Sequence, residues 1–117
     1  LNLASVTEIV DAYERGVKLN GLAIMNGDSE AANAAYDFVW RCSVELKKRG
    51  IDAQRTLLVL LKNGDPQVRL CAAKDALQFN PDLGQLELER IAKLDVIWSL
   101  HASLILEEWK RGRLRFP

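Results

Sequence analysis

An Asp-Pro pair at positions 65 and 66 stands between two apolar stretches, and it constrains the fold more than any other feature of the chain. Proline has no amide hydrogen to donate and holds φ at about −65°, so it fits the first turn of a helix and breaks the interior of one. An aspartate just ahead of it accepts hydrogen bonds from the orphan amides of that turn. A helix therefore opens at Pro66, and the preceding run Leu57-Leu58-Val59-Leu60-Leu61 must end at Asn63 and Gly64. Two helical segments joined by so short a turn have to be antiparallel neighbours.

The same punctuation recurs along the chain, whereas no stretch alternates apolar and polar residues around a hairpin turn. Ser5 followed three residues later by Glu8 is a capping box, and Val6, Ile9, Val10, Tyr13 and Val17 follow at helical spacing toward Asn26. Gly16 and Gly21 inside this helix point to a kink or a close helix contact, since glycine there costs about 1 kcal/mol relative to alanine. After Gly27 and Asp28, a second stripe runs through Ala31, Ala34, Ala35, Phe38, Val39, Cys42 and Leu46 to a stop at Gly50. Asp52 is expected to cap a third helix, Ala53 to Lys62, which is apolar on nearly every side and so should be sandwiched. The fourth helix should reach Phe79. Asp82 is expected to cap a fifth to Leu94, and Asp95 a sixth from Val96 to Arg111. The fold class is all-α: a single domain over 1–117, a short stack of about three antiparallel helical hairpins.

Composition limits what such a domain can do. The apolar fraction of 49% and charged fraction of 27% are those of a self-folding globular chain, and 16 basic residues balance 16 acidic ones. Zero net charge disfavours nucleic acid and anionic lipid as partners, because both reward a cationic excess. The cations Lys110, Arg111, Arg113 and Arg115 cluster at the end, where a helix dipole welcomes them. Cys42 and Cys71 lie on apolar stripes without a second ligand type at metal spacing, so buried reduced thiols and a cytoplasmic home are expected. No apolar run approaches the roughly 18 residues that span a bilayer, and Leu1 to Ser5 lacks the pattern of a signal peptide.

The stretch Leu57 to Leu77, LLVLLKNGDPQVRLCAAKDAL, resembles a HEAT repeat: a leucine-rich helix, a tight turn, then Asp-Pro-x-Val-Arg-x-x-Ala-Ala. The resemblance implies a right-handed helical stack, with Arg69 bonding the Asp cap of an adjoining repeat. A degenerate echo follows at Asp95, Ile97, Ala102 and Leu106. Across most of its length the chain is also similar to an uncharacterised bacterial family, the domain of unknown function numbered two thousand and nineteen. Three segments carry that similarity: Glu45 to Gly50, Gln67 to Lys74, and Ala102-Ser103-Leu104 through Gly112 to Pro117. It implies a compact helical fold and a prokaryotic source.

No catalytic constellation emerges, and no enzyme activity, cofactor or metal is expected. The one histidine, His101, has no triad partner and reads as a packed or half-buried imidazole bonded to a backbone carbonyl. Glu107 and Glu108 point about 100° apart on a helix and form no dyad. Gly64 lacks the rest of a phosphate loop. Trp98 and Trp109 share a face with Ile105 and should be buried, whereas Trp40 is displaced from its stripe. The expected function is therefore protein binding by Trp40, Arg41, Arg69, Lys74 and Gln78, with Arg69, Lys74 and Gln78 meeting an acidic partner, in a bacterial immunity protein or a regulatory adaptor. The alternative is a HEAT-like protein that tracks a nucleic-acid backbone with Arg41, Lys47, Lys48, Arg49, Arg55 and the terminal cations.

Overall fold

Ser5 and Glu8 form the reciprocal pair that their spacing predicts: the Glu8 amide donates to Ser5 Oγ at 3.1 Å, and the Ser5 amide donates to Glu8 Oε1 at 2.8 Å. The bond from the Ser5 backbone, and then that from its hydroxyl, holds the Glu8 carboxyl below its ordinary 4.5. In the computed structural model, which describes residues 1–117, this box opens α1 (Val6–Met25). It is followed by α2 (Ser29–Lys48), α3 (Ile51–Arg55), a 3-10 segment (Thr56–Lys62), α4 (Pro66–Ala76), α5 (Pro81–Lys93) and α6 (Ser99–Lys110). All six α-helices appear and there is no strand. The chain forms two compact units, Leu1–Leu57 with Pro117 and Leu58–Phe116.

The first unit is dominated by α1 lying against α2. Gly27, at a φ of +70°, turns the chain between them, and Asp28 then caps α2 by accepting from the Ala31 amide at 3.0 Å. Gly16 makes the close contact expected of it: a Cβ there would lie 2.8 Å from Val39 Cγ2 and 3.2 Å from Phe38 Cδ2. One turn on, Asn20 Nδ2 donates to the Ala32 carbonyl at 2.8 Å. Advancing along α1 meets earlier residues of α2, so the pair is antiparallel. Ile9, Tyr13, Val17, Cys42 and Leu46 are fully buried, and each large apolar side chain contributes at most about 1.5–3 kcal/mol by leaving water. The early turns of α2 differ from expectation. Ala31 and Ala34 are exposed, and the seam runs through Ala32, Val39, Cys42 and Leu46. Alanine is small enough to be left on either face, so it marks a stripe poorly.

The second unit pairs α4 with α5 and α5 with α6. Asp65 caps α4 by accepting from the Gln67 amide at 2.9 Å, with Pro66 in the first turn, as the opening pair dictates. Its core joins Leu70, Ala73 and Leu77 of the α4 region to Leu88 and Ile91 of α5 and Ala102, Ile105 and Leu106 of α6. Trp98, Trp109, Leu114 and Phe116 pack on its margin, half-buried. Gly84 is the tightest point: an added Cβ would sit 2.7 Å from the Ala73 carbonyl oxygen and 3.0 Å from the Leu77 amide nitrogen.

Three expected starts move. Gly50, at a φ of +109°, precedes α3, and Asp52 lies inside it without a capping bond. Asn80, not Asp82, caps α5, accepting from the Leu83 amide at 3.3 Å with Pro81 next. The last helix starts at Ser99, not beside Asp95, because the Ser99 hydroxyl accepts from the Val96 amide at 3.3 Å and donates to the Leu94 carbonyl, pinning residues 94–98 as a turn.

The leucine-rich run departs most from expectation. After five α-helical residues it winds as a 3-10 helix, and burial follows a period of three: Leu57 and Leu60 buried, Leu58 and Leu61 half-buried, Val59 and Lys62 exposed. Three residues per turn stack i over i+3, which is the pattern seen. The run is therefore not sandwiched; one edge of it faces out.

Candidate functional site

That outward edge and α5 form the walls of an open cleft of about 430 Å³ in the second unit. Leu58, Val59 and Leu61 line one wall, Leu83 and Leu86 the other, with Lys62, Glu87 and Arg90 among them. Leu83, Leu86 and Arg90 recur at helical spacing, so α5 turns one stripe to the cleft while its Leu88 and Ile91 face the core. Val59 is 67% exposed, Leu83 41% and Leu86 44%, an apolar surface left in water.

The charges around this cleft are unevenly matched. Glu87 is almost wholly buried, and its nearest cation is Arg69, with Nε at 3.8 Å from Oε2. Arg69 is anchored from behind, donating from Nη1 to the Asn63 carbonyl at 2.6 Å. The buried Glu87 carboxylate and the half-buried Arg69 guanidinium compensate each other, leaving Lys62 and Arg90, which form no ion pair, as the unpaired cations of the lining. Beyond Leu86 lie Asp82, Gln85 and Glu89, and there Gln85 Nε2 donates to Glu89 Oε1 at 2.9 Å.

The residues singled out from sequence do not gather here. Trp40 and Arg41 belong to the first unit; the Trp40 ring lies tilted against Tyr36 with centroids 6.2 Å apart, and the Arg41 guanidinium lies 5.8 Å from the centre of the Phe38 ring. Arg69, Lys74 and Gln78 belong to the second. Arg69 is engaged within the fold, by Asn63 and Glu87 and not by an Asp cap, and Gln78 Nε2 donates to the Asp75 carbonyl at 3.4 Å. Lys74 remains half-exposed. Of the cleft residues, none was picked out from sequence. The signal was present in Leu57–Leu61, but a run apolar at every position does not show which edge stays open.

Reactive groups are muted. Cys42 is buried as expected, whereas Cys71 is only half-buried; loss of solvent, then the nearby Asp75 charge, pushes the Cys71 thiol up to about 12, and loss of solvent likewise raises Cys42. His101 is exposed and not packed as expected: its imidazole lies tilted beside Trp98, ring centroids 6.4 Å apart, with no carbonyl bond of the expected kind. Loss of solvent, then the Lys74 charge, lowers its pKa below the ordinary 6.5. Two of the terminal cations are spoken for: Arg111 pairs with Glu107 at 2.7 Å and Arg113 with Glu108 at 2.9 Å. No group of three or more His, Cys, Asp or Glu side chains could hold a metal ion, and no helix is long and apolar enough to cross a membrane.

Fold and cleft together define an all-helical protein that carries an apolar, cation-edged groove in its second unit. The family model of the domain of unknown function DUF2019 matches residues 16–107, and the chain belongs to that family. The crystal structure of the protein RPA1889 from Rhodopseudomonas palustris CGA009 is similar over 100% of this chain and 98% of that one, with a TM-score of 0.93 at 23% identity. That likeness is one of fold. No curated protein matches the chain.

Proposed function

We propose that this protein is a non-catalytic, HEAT-like protein-binding module that seats its partner in the cleft between the 3-10 segment and α5. The carrying observation is the exposure of Val59, Leu83 and Leu86 on the two walls of one concave site, since apolar surface kept in water in a cleft is the usual mark of an interface. The HEAT-like reading is supported by the Asp65 cap, by Pro66 in the first turn of α4, and by small Ala72 and Ala73, both fully buried. A role as a cytoplasmic immunity protein or regulatory adaptor in a bacterium accords with small size and the two suppressed thiols. Tracking a nucleic-acid backbone draws less support, because Arg49 is bound to Glu45 at 2.9 Å and Arg111 and Arg113 are held by α6 carboxylates.

The test compares wild type with Leu86→Asp as bait in lysate of the native host. A partner retained by wild type and lost from the variant, with the variant's circular dichroism unchanged, is the expected result. Equal capture by both would remove the cleft from the argument.

A further inference from the structure

We infer that the occupant of this cleft is a short amphipathic helix of another protein carrying carboxylates along one flank, an inference that rests on the protein-binding reading above. Length is the first argument. From Leu58 to Lys62 the 3-10 segment rises about 8 Å, and from Leu83 to Arg90 α5 rises about 10 Å, so the walls match roughly two turns of a docked helix. Two turns offer three apolar side chains at i, i+3 or i+4, and i+7, the usual anchors of a helix laid in a groove.

Charge is the second argument, and it selects the flank. Lys62 and Arg90 edge the cleft without carboxylate partners, whereas Glu87 is already compensated by Arg69 at 3.8 Å. A helix bearing Glu or Asp beside its apolar stripe would meet both free cations. A helix bearing Lys or Arg there would place like charges together over low-dielectric walls. The acids Asp82 and Glu89 stand past Leu86, outside the cleft lining, and Glu89 is held by Gln85.

The experiment uses the full chain and two fluorescent peptides of about 15 residues, near the shortest length that holds a helix in water. Both carry the same leucine stripe, one flanked by Glu and the other by Lys. Anisotropy gives affinity, and methyl NMR reports on Leu58, Val59, Leu61, Leu83 and Leu86. The acidic peptide should bind about tenfold or more tightly than the basic one at low salt, shift those methyls, and weaken as salt rises. Lys62→Glu with Arg90→Glu should invert the preference; Lys62→Gln with Arg90→Gln should abolish it, and serves if the reversal fails to fold. Equal binding of both peptides at the cleft overturns the acidic flank and leaves the protein-binding reading standing. Cleft methyls silent to both overturn that reading as well. Shifts at the same methyls on raising protein concentration without peptide would make a second copy the occupant and overturn this inference.

Discussion

The two units use the same device, a glycine at a helix crossing, against different obstacles. In the first, Gly16 faces the side-chain tips of Val39 and Phe38; in the second, Gly84 faces the Ala73 carbonyl and the Leu77 amide. Side chains can rotate out of the way of a new methyl group, but backbone cannot move without carrying its helix along. The first unit also has two helices of 20 residues each, whereas α4, α5 and α6 have 11, 13 and 12. Short helices gain less from length, so the second unit depends on close approach and on a small core with little slack.

The largest effect should come from emptying that core. Leu88→Ala, at a fully buried site, is expected to cost about 3 kcal/mol in urea unfolding, and a loss below about 1 kcal/mol would mean the unit collapses around the cavity. The glycine contrast comes next. Gly84→Ala should lose about 1–2 kcal/mol, overpacking exceeding the gain in helix propensity, while Gly16→Ala should stay within about 1 kcal/mol of wild type. Equal losses at the two sites would break the comparison. Asn80→Ala, removing the cap of α5, should cost about 1 kcal/mol by thermal unfolding, and Asp82→Ala less than that.

These sites also show what the sequence conveyed. Asp65 and Pro66, and Ser5 with Glu8, were legible because capping is local chemistry between residues two or three apart. Gly16 was legible as an anomaly in a good helix. Asp82 and Asp95 misled because a competing oxygen sat nearby: Asn80 one residue before Pro81, and the Ser99 hydroxyl closing its own turn. The winding of Leu57–Leu61 could not be read, since an unbroken apolar run has no period to reveal. The cleft inherits that blindness, because one of its walls is this run and the other, at Leu83 and Leu86, looks like an ordinary helix face.

Two smaller effects sharpen the picture of the second unit. Because the folded pKa of His101 lies below the ordinary 6.5, the unfolded chain binds more protons in the window beneath that value. Stability from this group is complete above 6.5 and declines as pH falls below it, so His101→Gln should flatten the slope of unfolding free energy just below pH 6.5. A slope unchanged in the variant would assign it elsewhere. The smallest effect belongs to the cleft itself: Val59→Ser should alter stability by less than about 0.5 kcal/mol, because the side chain contributes little buried area. A larger loss would mean Val59 is part of the core after all.

The tighter winding of residues 56–62 also fixes direction. A 3-10 helix turns about 120° per residue and an α-helix about 100°, so re-coiling the segment would swing Lys62 about 100° relative to Leu57. That rotation would take the lysine from the cleft edge and bring a neighbouring side chain round in its place. A change of pitch over seven residues would thus re-address the surface, and would also shorten the segment by about 3.5 Å.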